Sequence, residues 1–241
     1  MKIDAPYLFE QTVKSMIYCA NERELFHLLS TAVKALEFDY YAYGVRISSP
    51  VTKPTFSLKS NYTNKWQLRY TDKNYIAIDP TVKHGLVSTR PLVWSNKSTQ
   101  EEPEFWEEAS SHGLKSGWAQ SSILTQGSIG MLSVAQEGNN ASTTKNILRR
   151  QLLLVWLNNT FKTAYSEIVL PDMFKHMYLE LTSRETEMLK WCADGKTSDE
   201  IAIILDLKKR TVDFHIANAI NKLNVTNKTA AAVKAIQLNI I

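Results

Sequence analysis

Leu181-Thr182-Ser183-Arg184-Glu185 opens the segment that decides how this chain folds, and Asp194-Gly195-Lys196-Thr197-Ser198-Asp199-Glu200 punctuates it. Thr182 and Thr197 each stand three residues before a glutamate. That is the spacing of a capping box, in which an N-cap Thr and an N3 Glu satisfy each other's backbone N–H groups. Two helices are therefore predicted to start there. Met188, Leu189 and Cys192 share one face of the first, which Asp194-Gly195 stops. Ile201, Ala202, Ile204 and Leu205 make the second apolar. The connection Asp206-Leu207-Lys208 leads into a third helix, with Val212, Ile216, Ala219, Ile220 and Leu223 as its buried stripe. Two short helices and a tight turn before a third predict a helix-turn-helix.

Charge supports a nucleic-acid face. Residues 180–206 hold three basic and seven acidic side chains, net −4, whereas 208–234 hold six basic and one acidic, net +5. Lys208, Lys209 and Arg210 fall at the start of the third helix, where cations oppose the helix dipole at a cost of about 0.3–1 kcal/mol each. A nearby phosphate would offset that cost. Lys208 also stands where a small capping residue is usual, so the start of this helix is expected to be loose or capped by Asp206.

Working towards the N-terminus, Thr143 or Thr144 begins a long helical pattern to about Val169, with Leu148, Leu152 and Val155 on one face. Pro171 breaks it, and 171–180 reads as a linker. Tyr7 to Ala20 is loosely amphipathic. Asn21 then caps a helix with Glu24 as its partner, carrying Leu25, Leu28, Leu29, Ala32, Val33 and Leu36 at helical spacing. Tyr40 to Ile47 reads as a strand, Pro50 and Pro54 as a loop, and Thr55 to Ser60 as a second strand. Trp66 and Tyr70, four apart, share one face if helical. Pro103 starts a helix through Phe105 and Trp106 that Gly113 ends. Ala119–Thr125 and Ile129–Ala135 look like a strand pair. Strands with flanking helices predict an α/β or α+β sandwich over 1–170, a linker at 171–180 and the helical domain at 181–241.

Composition narrows the function. At 241 residues, 44% hydrophobic and 22% charged, the chain is ordinary globular protein with a net charge of only +4. Its longest apolar run, Leu152 to Leu157, is far short of the roughly 20 residues a membrane helix needs. The start, Met1-Lys2-Ile3-Asp4-Ala5-Pro6, lacks a signal-peptide core, so a cytoplasmic location is expected. Cys19 and Cys192 are too far apart in sequence for a metal pair and too few for a disulfide framework. There is no Gly-x-Ser-x-Gly elbow, His-Glu-x-x-His, phosphate loop or dinucleotide fingerprint, and the five histidines are scattered. No catalytic residue, metal site or cofactor is expected. A phosphorylated receiver is disfavoured because residues 1–60 show no acidic pair after a first strand.

The run Leu181-Thr182-Ser183-Arg184-Glu185, with Glu187, Leu189, Trp191, Ala193, Gly195-Lys196-Thr197, Glu200-Ile201-Ala202, Leu205, Thr211-Val212, Phe214-His215, Asn218 and Lys222-Leu223, resembles the DNA-binding domain of LuxR-type transcription regulators. Asn61-Tyr62, Trp66, Tyr70, Asp79-Pro80, Trp94, Phe105-Trp106-Glu107-Glu108-Ala109 and Gly117 resemble the autoinducer-binding domain of the quorum-sensing members. The resemblance implies an α/β/α sandwich around an antiparallel sheet, enclosing an N-acyl-homoserine lactone. Trp66 would donate its indole N–H to the lactone carbonyl. Asp79 would accept the ligand's amide N–H. Tyr62 and Ser133 would donate to the acyl carbonyl, and Tyr70 and Trp94 would supply apolar wall. The chain departs from the family at Ala119, Ser121 and Thr99, which leaves the acyl-chain length and the 3-position substituent open.

DNA contact is expected from Thr197, Lys208, Lys209, Arg210, Thr211, Asp213, His215, Ala217, Asn218 and Lys222. Arg210, Asp213 and Ala217 form an outer row facing base edges, and His215, Asn218 and Lys222 a flanking row facing phosphate. An inverted repeat in double-stranded DNA calls for a homodimer, with the long helix from Thr143 as candidate surface. The competing reading is a regulator of the same build that answers another small molecule or acts without ligand.

Overall fold

A computed structural model describes residues 5–48, 53–95, 101–138, 141–174 and 180–241. Met1–Asp4, Pro50 and Thr99 lie outside them, as does the 175–179 part of the expected linker. The chain divides into two compact units, one ending at Ile168 and the other running from Val169 to Ile241 and including the short segments Ile47–Thr55 and Thr125–Ser128.

The first unit begins with α1 (Ala5–Ser15), a 3-10 turn at Met16–Tyr18 and α2 (Glu22–Ala35). The single helix expected over Tyr7–Ala20 is thus two pieces. Asn21 caps α2 through its side chain, and the Glu24 carboxylate returns to the Ala20 N–H rather than to that of Asn21. Strands β1 (Tyr40–Ile47) and β2 (Thr55–Ser60) follow as expected. Then come α3 (Asn64–Asp72), a 3-10 turn at Tyr75–Ala77, α4 (Pro80–Val87), β3 (Leu92–Ser95), α5 (Pro103–Ser111), β4 (Ser116–Ile123) and β5 (Ile129–Gln136). The sheet order is β2-β1-β5-β4-β3, and the pairs β1–β5, β5–β4 and β4–β3 are antiparallel.

Strand alternation divides the sheet into two faces. Tyr43 and Leu132 turn to one side, where Tyr43 packs on Phe161 and Tyr165 of α6 (Ala141–Ile168). Asn158, buried mid-helix, donates from Nδ2 to Gln120 Oε1 (3.1 Å) and Ser122 Oγ (2.9 Å) on β4. Helices α3, α4 and α5 cover the opposite face, so the sheet lies between two helical layers.

Two expectations for α6 change. Its buried face is Ile147, Leu154, Leu157, Phe161 and Tyr165, while Leu148 and Leu152 are 52% and 83% exposed. The helix is apolar on two sides, and periodicity in sequence does not say which side meets the sheet. The expected linker also starts as helix: α7 (Leu170–Phe174) places Pro171 in its first turn, where its missing N–H has no partner to lose.

The second unit continues with α8 (Ser183–Ala193), α9 (Ser198–Ile204), α10 (Lys209–Lys222) and α11 (Lys228–Gln237). Both capping boxes form, each with reciprocal bonds. Met188, Ile201, Ala202, Val212 and Ile216 make the core where α8, α9 and α10 meet. Lys208 is the N-cap of α10 with no side-chain bond, and Asp206 sits in the turn at φ +51° instead of capping. The fourth helix, α11, is capped by Asn227 and went unread in the sequence.

Candidate functional site

The face of the sheet under α3, α4 and α5 holds a cavity in two adjoining parts. Tyr62, Tyr70, Asp79, Thr81 and Ser133 line both. The inner part is an aromatic chamber completed by Trp66, Trp94, Phe105, Trp106, Ala109 and Leu114. The outer part is an apolar groove between β1, β5, β2 and α4. All six residues expected to bind ligand therefore meet at one place: Tyr62, Trp66, Tyr70, Asp79, Trp94 and Ser133.

Local structure explains how they get there. Thr63 caps α3 and starts the helix so that Trp66 and Tyr70 share its inner face, ring centroids 5.8 Å apart. Asp79 is the N-cap of α4 and Pro80 its first residue. An Asp N-cap followed by Pro is a favoured helix start, because the carboxylate caps and the missing N–H loses no bond. Trp94 lies on β3 against Gly117 of β4, its register partner. A Cβ at Gly117 would stand 2.2 Å from the Val134 carbonyl oxygen and 2.5 Å from Trp94 Cζ2, so only glycine lets the indole lie on the sheet. Across the chamber Trp94 meets Trp106, centroids 5.1 Å apart. Arg69 ties α3 to α5 with two bonds to Glu108, 2.6 and 2.5 Å. They hold the half-buried Glu108 carboxyl down at about 2.

The polar atoms add to two expected roles. Asp79 already accepts within the protein: Oδ1 receives the Thr81 N–H (2.8 Å) and hydroxyl (2.7 Å), and Oδ2 receives the Tyr70 hydroxyl (3.0 Å). Tyr70 is consequently more than apolar wall. Asp79 is buried, and loss of solvent raises its pKa although the bonds from Thr81 and Tyr70 pull the other way. Burial likewise raises Tyr62, helped by the Asp79 charge and opposed by a hydrogen bond with Ser133. Two groups were missed as donors. The indole N–H groups of Trp94 and Trp106 are buried in the chamber wall with no partner among the described residues. An unpaired buried donor costs about 1–3 kcal/mol, so this wall favours a ligand with acceptor oxygens.

In the second unit, exposure sorts α10 as its spacing predicts. Arg210, Asp213, Ala217 and Asn221 are exposed, whereas His215, Asn218 and Lys222 are partly covered beside the buried stripe. Phe214, 61% exposed, shares the outer surface and was not singled out. Lys208 and Thr211 stand at the helix start, and Lys209 bridges to Asp199 (2.6 Å). Thr197 uses its hydroxyl in its own capping box. Lys222 has a partner within the unit: its ammonium bonds Glu185 Oε2 at 2.8 Å, and the Glu185 side chain is only 4% exposed. Burial raises the Glu185 carboxyl, but the bonds from Lys222 and Thr182 outweigh it and leave the pKa lowered. Among the described residues no helix is long and apolar enough to cross a membrane, and no three His, Cys, Asp or Glu gather as metal ligands.

Comparison with known proteins accounts for both units. The autoinducer binding domain model matches residues 21–165, and that of bacterial regulatory proteins of the luxR family matches 179–235. The transcriptional activator protein AnoR of Acinetobacter nosocomialis is 42% identical over 234 residues, 96% of this chain and 98% of its own. The quorum-sensing regulator RhlR of Pseudomonas aeruginosa is 36% identical over 217 residues, 90% of this chain and 89% of its own. Among solved structures, Escherichia coli SdiA superposes with a TM-score of 0.79 at 31% identity, covering 97% of each chain. SdiA in complex with octanoyl-rac-glycerol gives 0.79 at 30% identity, covering 99% of this chain and 97% of that one.

Proposed function

The chain belongs to the LuxR family as a quorum-sensing transcription regulator with an autoinducer-binding and a DNA-binding domain, and we propose that it binds an N-acyl-homoserine lactone and acts on DNA as a homodimer. Residues 1–170 are assigned to the ligand, 171–180 to the linker and 181–241 to DNA. One observation carries the ligand reading. The aromatic chamber sets the buried Asp79 acceptor together with the unpaired indole donors Trp94 and Trp106, and it opens into an apolar groove. A lactone head group supplies two ester oxygens, the amide one N–H and one carbonyl, and the acyl tail the apolar surface. Few polar groups in a mostly apolar pocket suit such a ligand. Trp66 donates to the lactone carbonyl, Asp79 accepts the amide N–H, and Tyr62 and Ser133 meet the acyl carbonyl. Tyr70 holds Asp79 in place while Trp94 closes the wall.

For DNA, the exposed row Arg210, Asp213 and Ala217 is assigned to base edges. Lys208, Lys209, Thr211, His215, Asn218 and Thr197 are assigned to the backbone. Lys222 contributes charge there while bonded to Glu185. The exposed Leu148 and Leu152 on α6 support a dimer surface, since adjoining exposed apolar side chains mark contact sites. Such a regulator works in the cytoplasm, where its DNA is.

The test is to produce the protein with mixed acyl-homoserine lactones, extract it and analyse the extract by mass spectrometry. One lactone recovered intact at one per chain supports the reading, and a hydrolysed product or none overturns it. A second reading, an acyl ester of glycerol, draws on the octanoyl-rac-glycerol held by SdiA and is tested in the same extract.

A further inference from the structure

The acyl chain is the undetermined part of the ligand, and the sheet register measures the space for it. Ala42, Gly44 and Arg46 of β1 stand opposite Ser133, Met131 and Ile129 of β5, and all six line the groove. They form three successive steps of one floor. The Ala42–Ser133 step adjoins the aromatic chamber, which Ser133 also lines. The Arg46–Ile129 step is two register pairs of like facing further on.

Four residues of β1 separate the first step from the last, about 13 Å at ~3.3 Å per residue. Carbon–carbon bonds of ~1.5 Å advance an extended chain by about 1.25 Å per carbon. The floor thus accommodates about ten carbons beyond a carbonyl held at Ser133.

The middle step is a waist. Gly44 supplies no side chain, and a Cβ there would come within 3.6 Å of Leu58 Cδ1 on the neighbouring strand β2. From the roof, Gly85 of α4 also supplies none, and a Cβ there would stand 2.8 Å from Met131 Sδ. The Met131 thioether therefore reaches from the floor to Gly85 of the roof, beside its register partner Gly44. The free volume of the groove is ≈ 90 Å³, well under the roughly 300–1,000 Å³ of ordinary ligand sites. Methionine, unbranched with three rotatable bonds, is the side chain suited to swing aside. Phe56, Leu58 and Leu86 also line the groove while 42%, 46% and 42% exposed, an apolar rim that an acyl tail would cover.

We propose that the ligand carries a long acyl chain, about ten to twelve carbons by the length of the floor, and that Gly44, Gly85 and Met131 determine that length. The proposal rests on the reading that this cavity holds an acylated autoinducer.

The test uses the full chain and two ligand series, N-acyl-homoserine lactones and 1-monoacylglycerols, each from butanoyl to tetradecanoyl. Thermal shift and direct binding are read for wild type, Gly44→Ala, Gly44→Leu and Met131→Ala. In wild type, affinity should rise by about fourfold per carbon and peak at decanoyl to dodecanoyl. Gly44→Leu closes the middle step and should shorten the optimum by about five carbons while hexanoyl binding persists. Gly44→Ala, whose Cβ makes only ordinary contact, controls for folding and should shift the optimum less in the same direction. Met131→Ala should improve binding of the longest chains relative to the shortest. A wild-type optimum at butanoyl or hexanoyl, or a Gly44→Leu loss equal at all lengths, overturns the proposal. If the glycerol series alone binds with the expected optimum, the lactone reading falls and the length proposal stands. If neither series binds at any length, both fall.

Discussion

Asp79→Asn separates the two tasks of the carboxylate at the chamber. One oxygen caps α4 by accepting from Thr81, and the other accepts the Tyr70 hydroxyl. Asparagine caps a helix as well as aspartate does, so its carbonyl oxygen can keep both Thr81 bonds. Its NH₂ group then faces Tyr70, whose hydroxyl can turn to accept. Without ligand the protein should lose little, a few tenths of a kcal/mol by the near-equality of the two caps. The liganded protein loses more, because an NH₂ group cannot accept the ligand's amide N–H. An unpaired donor in a water-poor pocket costs about 1–3 kcal/mol, a factor of about 5 to 150 in Kd. Asp79→Ala should do worse on both counts. It forfeits the cap at about 0.5–2 kcal/mol and strands the Tyr70 hydroxyl. Isothermal titration with a dodecanoyl lactone gives the affinities, and melting without ligand gives the stabilities. An Asp79→Asn protein that binds like wild type would refute the role of this carboxylate. One that melts far below wild type without ligand would refute the cap argument.

Binding should also depend on pH through the same group. Burial raises the Asp79 pKa, and an amide N–H from the ligand favours the ionised form. Affinity is then full above that raised value and falls as pH drops through it. Titration across mildly acid pH checks this, with a flat profile counting against it. For folding the sign is the reverse of the usual paired carboxylate: ionised Asp79 costs stability above its raised folded value, and the cost disappears as pH falls to the ordinary value. Gly117→Ala drives a Cβ against a backbone oxygen and the Trp94 ring, so it should destabilise by at least the upper end of the about 1–3 kcal/mol typical of overpacking; unchanged melting would count against it. Lys222→Ala leaves the buried Glu185 with fewer donors and should destabilise the DNA-binding unit by about 1–3 kcal/mol, less than the about 3–5 of a wholly buried pair because the Lys222 side chain is 27% exposed. Denaturant unfolding reads this. Asp213→Ala should relax preference at one base pair by about 1–3 kcal/mol with little change in salt dependence, measured by titrating single-base variants of the cognate site.

What could be read from the chain alone was whatever short-range chemistry determines. Thr182 and Glu185, or Thr197 and Glu200, are three residues apart, and the geometry of one helical turn brings them together in any protein. The same holds for Asn21, for the shared face of Trp66 and Tyr70, and for Tyr40–Ile47, whose β-branched and aromatic content suits a strand. Asp79-Pro80 carried the same kind of local signal and was legible in principle. Other features had no local signature. β3 is four residues long and is a strand because Gly117 gives Trp94 a surface to lie on. The inner face of α6 is undecided between Ile147, Leu154 and Leu157 on one side and Leu148 and Leu152 on the other until Tyr43 and the Gln120 and Ser122 acceptors of β4 select it. Lys222 looks like a phosphate ligand by its place on α10 and meets Glu185 because α8 packs there, 37 residues away in sequence. The groove, too, exists only once β1 and β5 pair in one register, because it is the pairing of Gly44 with Met131, and not either residue, that makes a waist. Contacts within a turn follow from the backbone's own geometry. Contacts across the sheet and between helices depend on which of several equally apolar faces is buried, and that choice belongs to the whole fold.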